Sequence, residues 1–357
     1  MTAIRSIITG TGSVIPELLI PNSYFESSDF YDRNGVRIEK SASEVTAKLE
    51  AITGIRERRY IPFDQDSIQL MTDASRLAVE DAGLDVNDLS GIIVAHNAGN
   101  MVPNTGAFHT VPNLAASLKH ELHSTNHDCF AYDVLFGCPG WLQGIIQAHH
   151  AIQCDGAEHI LVTGLEVASR LLDPHDPDSM ILADGCGACV VSRSETNGQG
   201  VISYSTFSHA MDDNRIIYLG PSNKPGVEGS CYFHMNGRAV YKYATEWVPK
   251  VIVSALDKAS LKLTEVDLFL LHQANAKMLE AIAANLAELC DVPYETLSSK
   301  IPTTIDFLGN TSVATIPTML DLVRKQKLES YEIRDGDVVV MASVGAGMHC
   351  NAIVYRF

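Results

Sequence analysis

The sequence has little positive charge for its length, and it lacks an apolar run long enough to cross a bilayer. Lysine and arginine total 26 against 43 aspartate and glutamate residues, a formal net charge of -17 over 357 residues. Such an acidic chain is a poor general partner for nucleic acid or for an anionic membrane surface. Residues 1–8 lack the apolar core and small-residue cleavage site of a signal peptide, so we expect a cytoplasmic protein.

The chain also lacks the cysteine content of a disulfide framework. Its eight cysteines should be thiols in a reducing compartment. Cys186 and Cys189 have zinc or redox spacing, but they lie in a glycine-bearing segment that enters a strand, and no second pair completes a site. His120, His123 and His127 follow near-helical spacing without a cysteine or carboxylate at ligand spacing. We therefore expect no metal site.

What the chain does have is an alternation of strand and helix patterns along its whole length. Apolar spacing predicts a helix over 67–84, a short buried strand over 91–95 and a long helix over 239–261 that Pro249 should bend or break. This alternation favours a largely parallel sheet covered on both faces. The length predicts two domains or one duplicated domain, and the polar segment 194–200 is the best linker. We place the two halves at 1–195 and 196–357.

The most informative stretch is an apolar run, 132–137, that ends on a cysteine and then turns helical. Apolar residues recur at helical spacing after Pro139, so Cys138 should lie where a buried strand passes into a helix. Proline suits the first helical position because its missing N–H has no partner there. The helix dipole beside Cys138 would favour a thiolate nucleophile. The alternative is a buried cysteine that only fills space.

Two further polar residues stand at the exits of predicted strands. His272 ends the apolar run 267–271, and Asn310 follows the edge 307–309. Alternating strand and helix proteins gather their chemistry at the carboxyl ends of strands, so Cys138, His272 and Asn310 are candidates for one pocket. Taken alone, a histidine such as His272 is more often a satisfied core histidine than a functional one.

At this point the chain resembles a known family, the β-ketoacyl-acyl-carrier-protein synthase III enzymes. Six segments carry the resemblance. They occur along the chain in the family's order, and the resemblance extends over nearly the whole chain. They are Phe136-Gly137-Cys138-Pro139-Gly140, His272-Gln273-Ala274-Asn275, Gly309-Asn310-Thr311-Ser312, Thr53-Gly54-Ile55-Arg56-Glu57-Arg58, Asp184-Gly185-Cys186-Gly187-Ala188 and Gly345-Ala346-Gly347. The resemblance implies a thiolase-like α/β fold, with two duplicated halves in five layers (αβαβα), and a homodimer.

The resemblance also implies a role for each candidate. Cys138 would take an acyl group from a thioester, while its own backbone N–H and one from the segment Gly345, Ala346 and Gly347 hold the oxyanion. His272 and Asn310 would bind the carbonyl of a malonyl thioester and stabilise the enolate that forms as CO2 leaves. The substrates would be thioesters of acyl carrier protein or coenzyme A, and no metal or redox cofactor is implied.

Several positions depart from the family pattern. Lys48 and Ile52 replace the tryptophan and arginine that grip the nucleotide of coenzyme A, and Pro177 replaces a further arginine. We therefore expect a carrier-protein thioester as donor in preference to coenzyme A. Basic side chains are candidates for docking the acidic carrier protein, although exposed lysines are usually only solvated. These candidates are Arg56, Arg58, Arg59 and Lys277.

The segment 97–111 is longer than the family loop that reaches into the partner subunit's acyl pocket. Its apolar residues Met101, Val102, Phe108 and Val111 are the acyl-pocket candidates. Together with the added polar segment 22–44, they suggest a paralogue of the housekeeping initiator that serves secondary metabolism and has a different chain-length preference.

Three other functions fit parts of the pattern. An enzyme of the same fold could transfer the acyl group to an oxygen, a nitrogen or a non-malonyl carbon. The order Cys, His, Asn also occurs in papain-like hydrolases, but Cys138 lacks their Cys-Gly-Ser-Cys-Trp surroundings. A non-catalytic subunit is disfavoured by the intact set of Cys138, His272 and Asn310.

Overall fold

The computed structural model describes residues 4–102, 108–195, 198–227 and 231–357. The strands are β1 (Arg5–Val14), β2 (Leu18–Pro21), β3 (Glu57–Tyr60), β4 (Gly91–His96), β5 (Asn100–Met101), β6 (Phe108–His109), β7 (Phe130–Leu135), β8 (His159–Val167), β9 (Asp184–Ser194), β10 (Gly200–Ser208), β11 (Ile217–Gly220), β12 (Tyr232–Met235), β13 (Leu268–Leu271), β14 (Val338–Gly345) and β15 (His349–Arg356). The α-helices are α1 (Ala42–Thr53), α2 (Ser67–Asp81), α3 (Leu114–Glu121), α4 (Gly140–Asp155), α5 (Ala210–Asp213), α6 (Gly237–Ala259), α7 (Ala276–Leu289), α8 (Glu295–Ser298), α9 (Ile305–Leu308) and α10 (Thr315–Arg324).

Two mixed sheets form the frame of the molecule. The first has the strand order β1-β9-β8-β4-β7, and the second has the order β10-β15-β14-β13. The pairs β8–β4, β4–β7 and β13–β14 are parallel, and the other neighbours within these sheets are antiparallel. The prediction of a largely parallel sheet is therefore wrong. Only residues 346–348 separate β14 from β15, and so short a connection joins antiparallel neighbours.

Helices cover both faces of each sheet and produce five layers. Helices α2 and α3 pack on the outer face of the first sheet, and α6 and α7 pack on the outer face of the second. Helices α4 and α10 lie between the two sheets, where Trp141, Leu142 and Ile145 of α4 share one apolar cluster with strands of both. The order of layers is αβαβα, as the family resemblance implies.

Apolar periodicity locates the regular elements well. Helix α2 lies within the predicted range 67–84, and the side chain of Asp66 accepts a hydrogen bond from the N–H of Ile68 at its start. Strand β4 matches the predicted strand over 91–95. Helix α6 continues through Pro249 without a break, because its buried face, which includes Val251 and Ile252, packs on the second sheet.

Strand β7 corrects a prediction about burial. The run before Cys138 was expected to be a buried strand, but β7 is the last strand of the first sheet. Val134 is buried, whereas Tyr132 is 37% exposed and Leu135 is 64% exposed. An apolar run therefore marks an edge strand here, and this edge of the sheet is open in the single chain.

Within the described ranges, no helix combines the length and the apolar character that a membrane crossing requires. The same residues contain no cluster of three or more His, Cys, Asp or Glu side chains suited to a metal ion. Cys186 and Cys189 are buried free thiols in β9.

Candidate active site

Cys138 occupies the link between β7 and α4. Strand β7 ends at Leu135, Gly137 turns the chain with a φ of 65°, and α4 begins at Gly140. Pro139 is the residue immediately before the helix, one position earlier than predicted. Cys138 therefore lies at the positive end of the α4 dipole, on the side where the first helical N–H groups lack intrahelical partners.

The segment Gly345–Gly347 packs directly against this link. A Cβ atom added to Gly345 would lie 2.5 Å from the backbone nitrogen of Cys138, and one added to Gly137 would lie 2.8 Å from that of Ala346. Only glycine permits this approach of two backbones. Backbone N–H groups from both segments are thus available near the sulfur, as an oxyanion hole requires.

Asn310 follows helix α9, so the predicted strand before it is wrong, and it comes directly after the positive-φ residue Gly309, whose φ is 68°. Its backbone N–H donates to the carbonyl of Ile181 at 3.0 Å, and its carbonyl accepts from Ala183 at 2.9 Å. The side-chain Oδ1 accepts the N–H of Ser312 at 2.8 Å. With Oδ1 engaged, the other polar group of this buried side chain is the donor Nδ2.

His272 lies at the exit of β13, where its N–H donates to the carbonyl of Ala342 in β14 at 2.9 Å. The residue is only 6% exposed, and burial lowers the pKa of its imidazole to about 4. It is therefore neutral at pH 7. Nδ1 is buried and has no hydrogen-bond partner among the described residues.

Chain contacts connect the three candidates. The Ser312 hydroxyl lies 3.2 Å from Cys138 Sγ, and the Ser312 N–H is held by Asn310. His272 is bonded to β14, whose last residue, Gly345, contacts Cys138. Ser312 thus connects Cys138 with the Asn310 segment, and β14 joins the backbone of His272 to the glycine segment that packs against Cys138.

The structure contradicts the thiolate that was expected at Cys138. The pKa of the Cys138 thiol is raised to about 12, mainly by burial and in part by the charge of Glu166, against the opposing effect of the Ser312 hydroxyl. Desolvation outweighs the helix dipole, so Cys138 is a thiol in the resting chain.

A cavity of about 270 Å³ opens beside Cys138. It is lined by Asn97, Leu135, Phe136, Gly137, Leu171, Asn214, Ile217, Tyr218, Leu219, Phe233, Ala346, Gly347 and His349. Most of these side chains are apolar, as a site for an acyl chain requires.

The acyl-pocket candidates lie elsewhere in this chain. Met101 is buried, and its carbonyl accepts a hydrogen bond from Arg170 at 2.6 Å. Phe108 is 44% exposed, Val111 is 86% exposed, and Val102 is half-buried. None of these four residues lines the cavity beside Cys138. Residues 103–107 of the same segment lie outside the described ranges.

The structure also contradicts the docking role expected of Arg58, because this residue is fully buried and cannot contact a partner. Its guanidinium donates to the carbonyl of Ile20 at 3.2 Å and to Asn22 Oδ1 at 2.7 Å, and it lies 5.0 Å from the ring centre of Phe25. These contacts give it a structural role in the small β2–β3 region.

The other docking candidates remain at the surface to different degrees. Arg56 is exposed and pairs with Asp306 at 2.6 Å, while Arg59 is partly buried and pairs with Glu57 at 3.5 Å. Lys277 is exposed in the first turn of α7. Arg56 and Lys277 are therefore the accessible cations of the predicted set.

Three residues of this region were missed by the sequence analysis. Ser312 was quoted only as part of a motif, Asn97 follows directly after β4, and Glu166 lies one residue before the end of β8. The strand-exit rule that identified Cys138 and His272 applies equally to Asn97 and Glu166, whereas Ser312 begins a helical turn.

The layers and the cysteine at the start of the central helix define a thiolase-like acyl-transferring enzyme. A solved structure of 3-oxoacyl-[acyl-carrier-protein] synthase III from Aquifex aeolicus has a TM-score of 0.79, with 26% identity over 99% of this chain and 100% of that one. The structure from Thermus thermophilus gives 0.79, with 27% identity over 98% of each chain.

Sequence comparisons give the family. Models of 3-oxoacyl-[acyl-carrier-protein] synthase III match residues 132–210, and of its C-terminal part residues 256–357. β-Ketoacyl-[acyl-carrier-protein] synthase III from Staphylococcus saprophyticus is 32% identical over 98% of each chain, and that from Brucella anthropi is 30% identical over 99% of this chain and 100% of its own. The chain belongs to the β-ketoacyl-acyl-carrier-protein synthase III family, and it is an acyltransferase.

Proposed function

We propose that this chain loads an acyl group on Cys138 and then joins it to a malonyl-type thioester by decarboxylative Claisen condensation. The observation that carries the proposal is the connected region around Cys138, in which Ser312 contacts the sulfur, Asn310 holds the Ser312 N–H, and the Gly345 backbone packs against that of Cys138. A neutral, buried His272 completes the set.

In the loading step, Cys138 Sγ attacks the thioester carbonyl. The negative charge that develops on the carbonyl oxygen would be held by the N–H of Cys138 and one from the segment Gly345–Gly347. The leaving thiol departs, and the acyl group remains on sulfur with its chain in the cavity beside Phe136.

In the condensation step, two neutral donors stabilise the enolate. Asn310 Nδ2 and the imidazole of His272 would bind the malonyl thioester carbonyl, where negative charge grows as CO2 leaves. The enolate carbon then attacks the acyl carbonyl on Cys138 and frees the thiol. Neutral donors suit this step because they bind the charge only as it forms. We propose that no metal or redox cofactor takes part.

Carrier-protein thioesters are the proposed donors. The relatives from Staphylococcus saprophyticus and Brucella anthropi are named for this carrier protein. Lys48 and Ile52, where the family grips coenzyme A, lie exposed on α1, and the accessible cations Arg56 and Lys277 are the proposed docking residues. Coenzyme A thioesters remain possible substrates, and a specialised pathway is the proposed setting.

A cytoplasmic homodimer is the proposed form of the enzyme. The open edge of β7 exposes Tyr132 and Leu135, and Phe108 and Val111 are also exposed in the single chain. An apolar sheet edge of this kind is usually covered. Phe108 and Val111 would then reach the acyl pocket of the partner subunit. The free state of all eight cysteines supports a reducing compartment.

Intact-protein mass spectrometry with acyl carrier-protein and acyl coenzyme A thioesters tests the proposal. Cys138 should gain the acyl mass, and Cys138→Ala should not. His272→Ala and Asn310→Ala should load but release no CO2 from a malonyl thioester. Acyl transfer without malonyl-dependent CO2 release would contradict condensation and favour another acceptor.

A further inference from the structure

A buried carboxylate outside the Cys-His-Asn set is connected to the nucleophile. Glu166 is 5% exposed, and it lies one residue before the end of β8. Its Oε2 accepts a hydrogen bond from Asn97 Nδ2, and its Oε1 accepts the N–H of Val167 at 3.1 Å. Glu166 has no cationic partner among the described residues, so its position needs another explanation.

Ser312 lies between this carboxylate and the sulfur. Its hydroxyl is 2.9 Å from Asn97 Nδ2, which also donates to Glu166 Oε2, and 3.2 Å from Cys138 Sγ. The same hydroxyl lowers the pKa of Glu166, against the effect of burial. A hydroxyl is both donor and acceptor, so it can receive a proton from one neighbour while giving its own to another. Asn97 has only donors on Nδ2 and can fix both groups without exchanging protons.

The backbone of Ser312 supports a role for its side chain. Ser312 has a φ of 47°, in the left-handed region where glycine has the advantage. A serine in this conformation costs free energy that glycine would not. The hydroxyl therefore offsets that cost through its contacts with Cys138 and Glu166.

We infer that Glu166 accepts the Cys138 thiol proton through the Ser312 hydroxyl as the sulfur attacks the thioester. The S–H bond breaks, Ser312 takes that proton and gives its own to the carboxylate, and the new C–S bond forms. The carboxyl then returns the proton by the same route to the departing thiolate, so Glu166 ends as it began. This inference rests on the proposed function. Because Glu166 acts through Ser312, it is a positioning residue.

The protonation behaviour of the pair agrees with the geometry. Burial raises the pKa of Glu166 to about 7, so its carboxyl can hold or release a proton near neutral pH. The charge of Glu166 raises the pKa of Cys138, and the charge of Asp184 raises that of Glu166. A proton shared within the pair removes the repulsion between thiolate and carboxylate.

The first test compares two rates in Glu166→Gln, which keeps the shape of the side chain and removes its charge. The probes are iodoacetamide alkylation of Cys138 from pH 5.5 to 10 and acyl loading from a carrier-protein thioester, both followed by intact mass. We expect loading to fall about 100-fold, because a proton acceptor is lost. We expect the alkylation midpoint to move to lower pH, because the repulsive charge is gone.

These opposite changes separate a proton relay from a structural role. Loss of both rates with a lower unfolding midpoint would make Glu166 structural and overturn the inference. An unchanged loading rate in Glu166→Gln would overturn it as well. Asp178→Asn is the matched control, because Asp178 is a buried carboxyl whose charged neighbours are Asp176, Arg33 and His234. It should change neither rate.

Ser312→Gly gives an independent test if Glu166→Gln folds poorly. Glycine suits the positive φ, so the hydroxymethyl group is lost without added backbone strain. Loading should fall about as much as in Glu166→Gln, and the alkylation midpoint should rise because the thiolate loses a donor. Loading at the wild-type rate would overturn the relay alone. A wild-type chain that takes no acyl group from any thioester would overturn the proposed function together with the relay.

Discussion

Replacing Gly345 by alanine should disable Cys138 without unfolding the chain. Gly345 has no positive φ, so alanine meets no backbone strain there. Its Cβ would lie 2.5 Å from the Cys138 nitrogen, 2.8 Å from Pro139 Cδ and 3.0 Å from Cys138 Cβ. Reaching an ordinary contact of 3.4 Å requires the two backbones to separate by about 0.9 Å.

That displacement acts on the nucleophile and on the oxyanion donors at once. A misplacement of about 1 Å can reduce a catalysed rate about 100-fold, so we expect that loss in acyl loading of Gly345→Ala. The assay is intact mass against time with a carrier-protein thioester, and circular dichroism checks the fold. Gly237→Ala is the control, since its Cβ would meet only Asp178 Oδ2, at 3.6 Å. A Gly345→Ala rate within twofold of wild type would refute the reasoning.

Three other predictions follow from buried groups. His272 has a pKa near 6.5 in the unfolded chain and about 4 in the folded chain, so its protonation destabilises the fold as pH falls from 6.5 to 4, by about 3 kcal/mol. In denaturant titrations, His272→Gln should lose less stability over this pH range than the wild type, by that amount. An identical pH dependence in both proteins would contradict this. Arg58→Ala should lower the free energy of unfolding by about 2–4 kcal/mol, because it leaves the Asn22 oxygen unpaired. Lys277→Glu should leave stability unchanged but weaken the binding of carrier protein, measured by calorimetry. The opposite pattern would restore Arg58 as the docking residue. Trp141→Phe loses a buried 3.1 Å hydrogen bond from Nε1 to a carbonyl of β8 and should cost about 1–2 kcal/mol in urea unfolding, and no measurable cost would mean that water replaces that bond.

The sequence predicts elements with strong periodicity and the residues at strand exits. Helix α2 and strand β4 follow from apolar spacing alone, and Cys138 and His272 do lie where strands end. The strand predicted before Asn310 is a helix. What it does not contain is the position of a strand within a sheet. The same apolar run describes a central strand and the edge strand β7, so the exposure of Leu135 was not predictable.

The sequence likewise does not predict which charged or ionisable side chains are buried and which groups they contact. Arg58 resembles a surface cation in its motif, but the partners that bury it, Ile20 and Asn22, come from another strand and the turn that follows it. The helix dipole at Cys138 can be predicted from the sequence, while the burial that outweighs it depends on the folded packing. Glu166 was missed because it does not contact Cys138 directly: Ser312 lies between them, and Asn97 holds both Glu166 and Ser312.

The central helix α4 carries the nucleophile at one end and packs along its length against strands of both sheets. Reactivity at the sulfur is therefore sensitive to substitutions far from any substrate. Exchanging Ile145 or Ile146 for a side chain of another shape would tilt the helix axis and move the thiol relative to the imidazole and the amide. Directed evolution of chain-length or donor preference in this enzyme can thus target the apolar side chains between the two sheets as well as the residues that line the cavity.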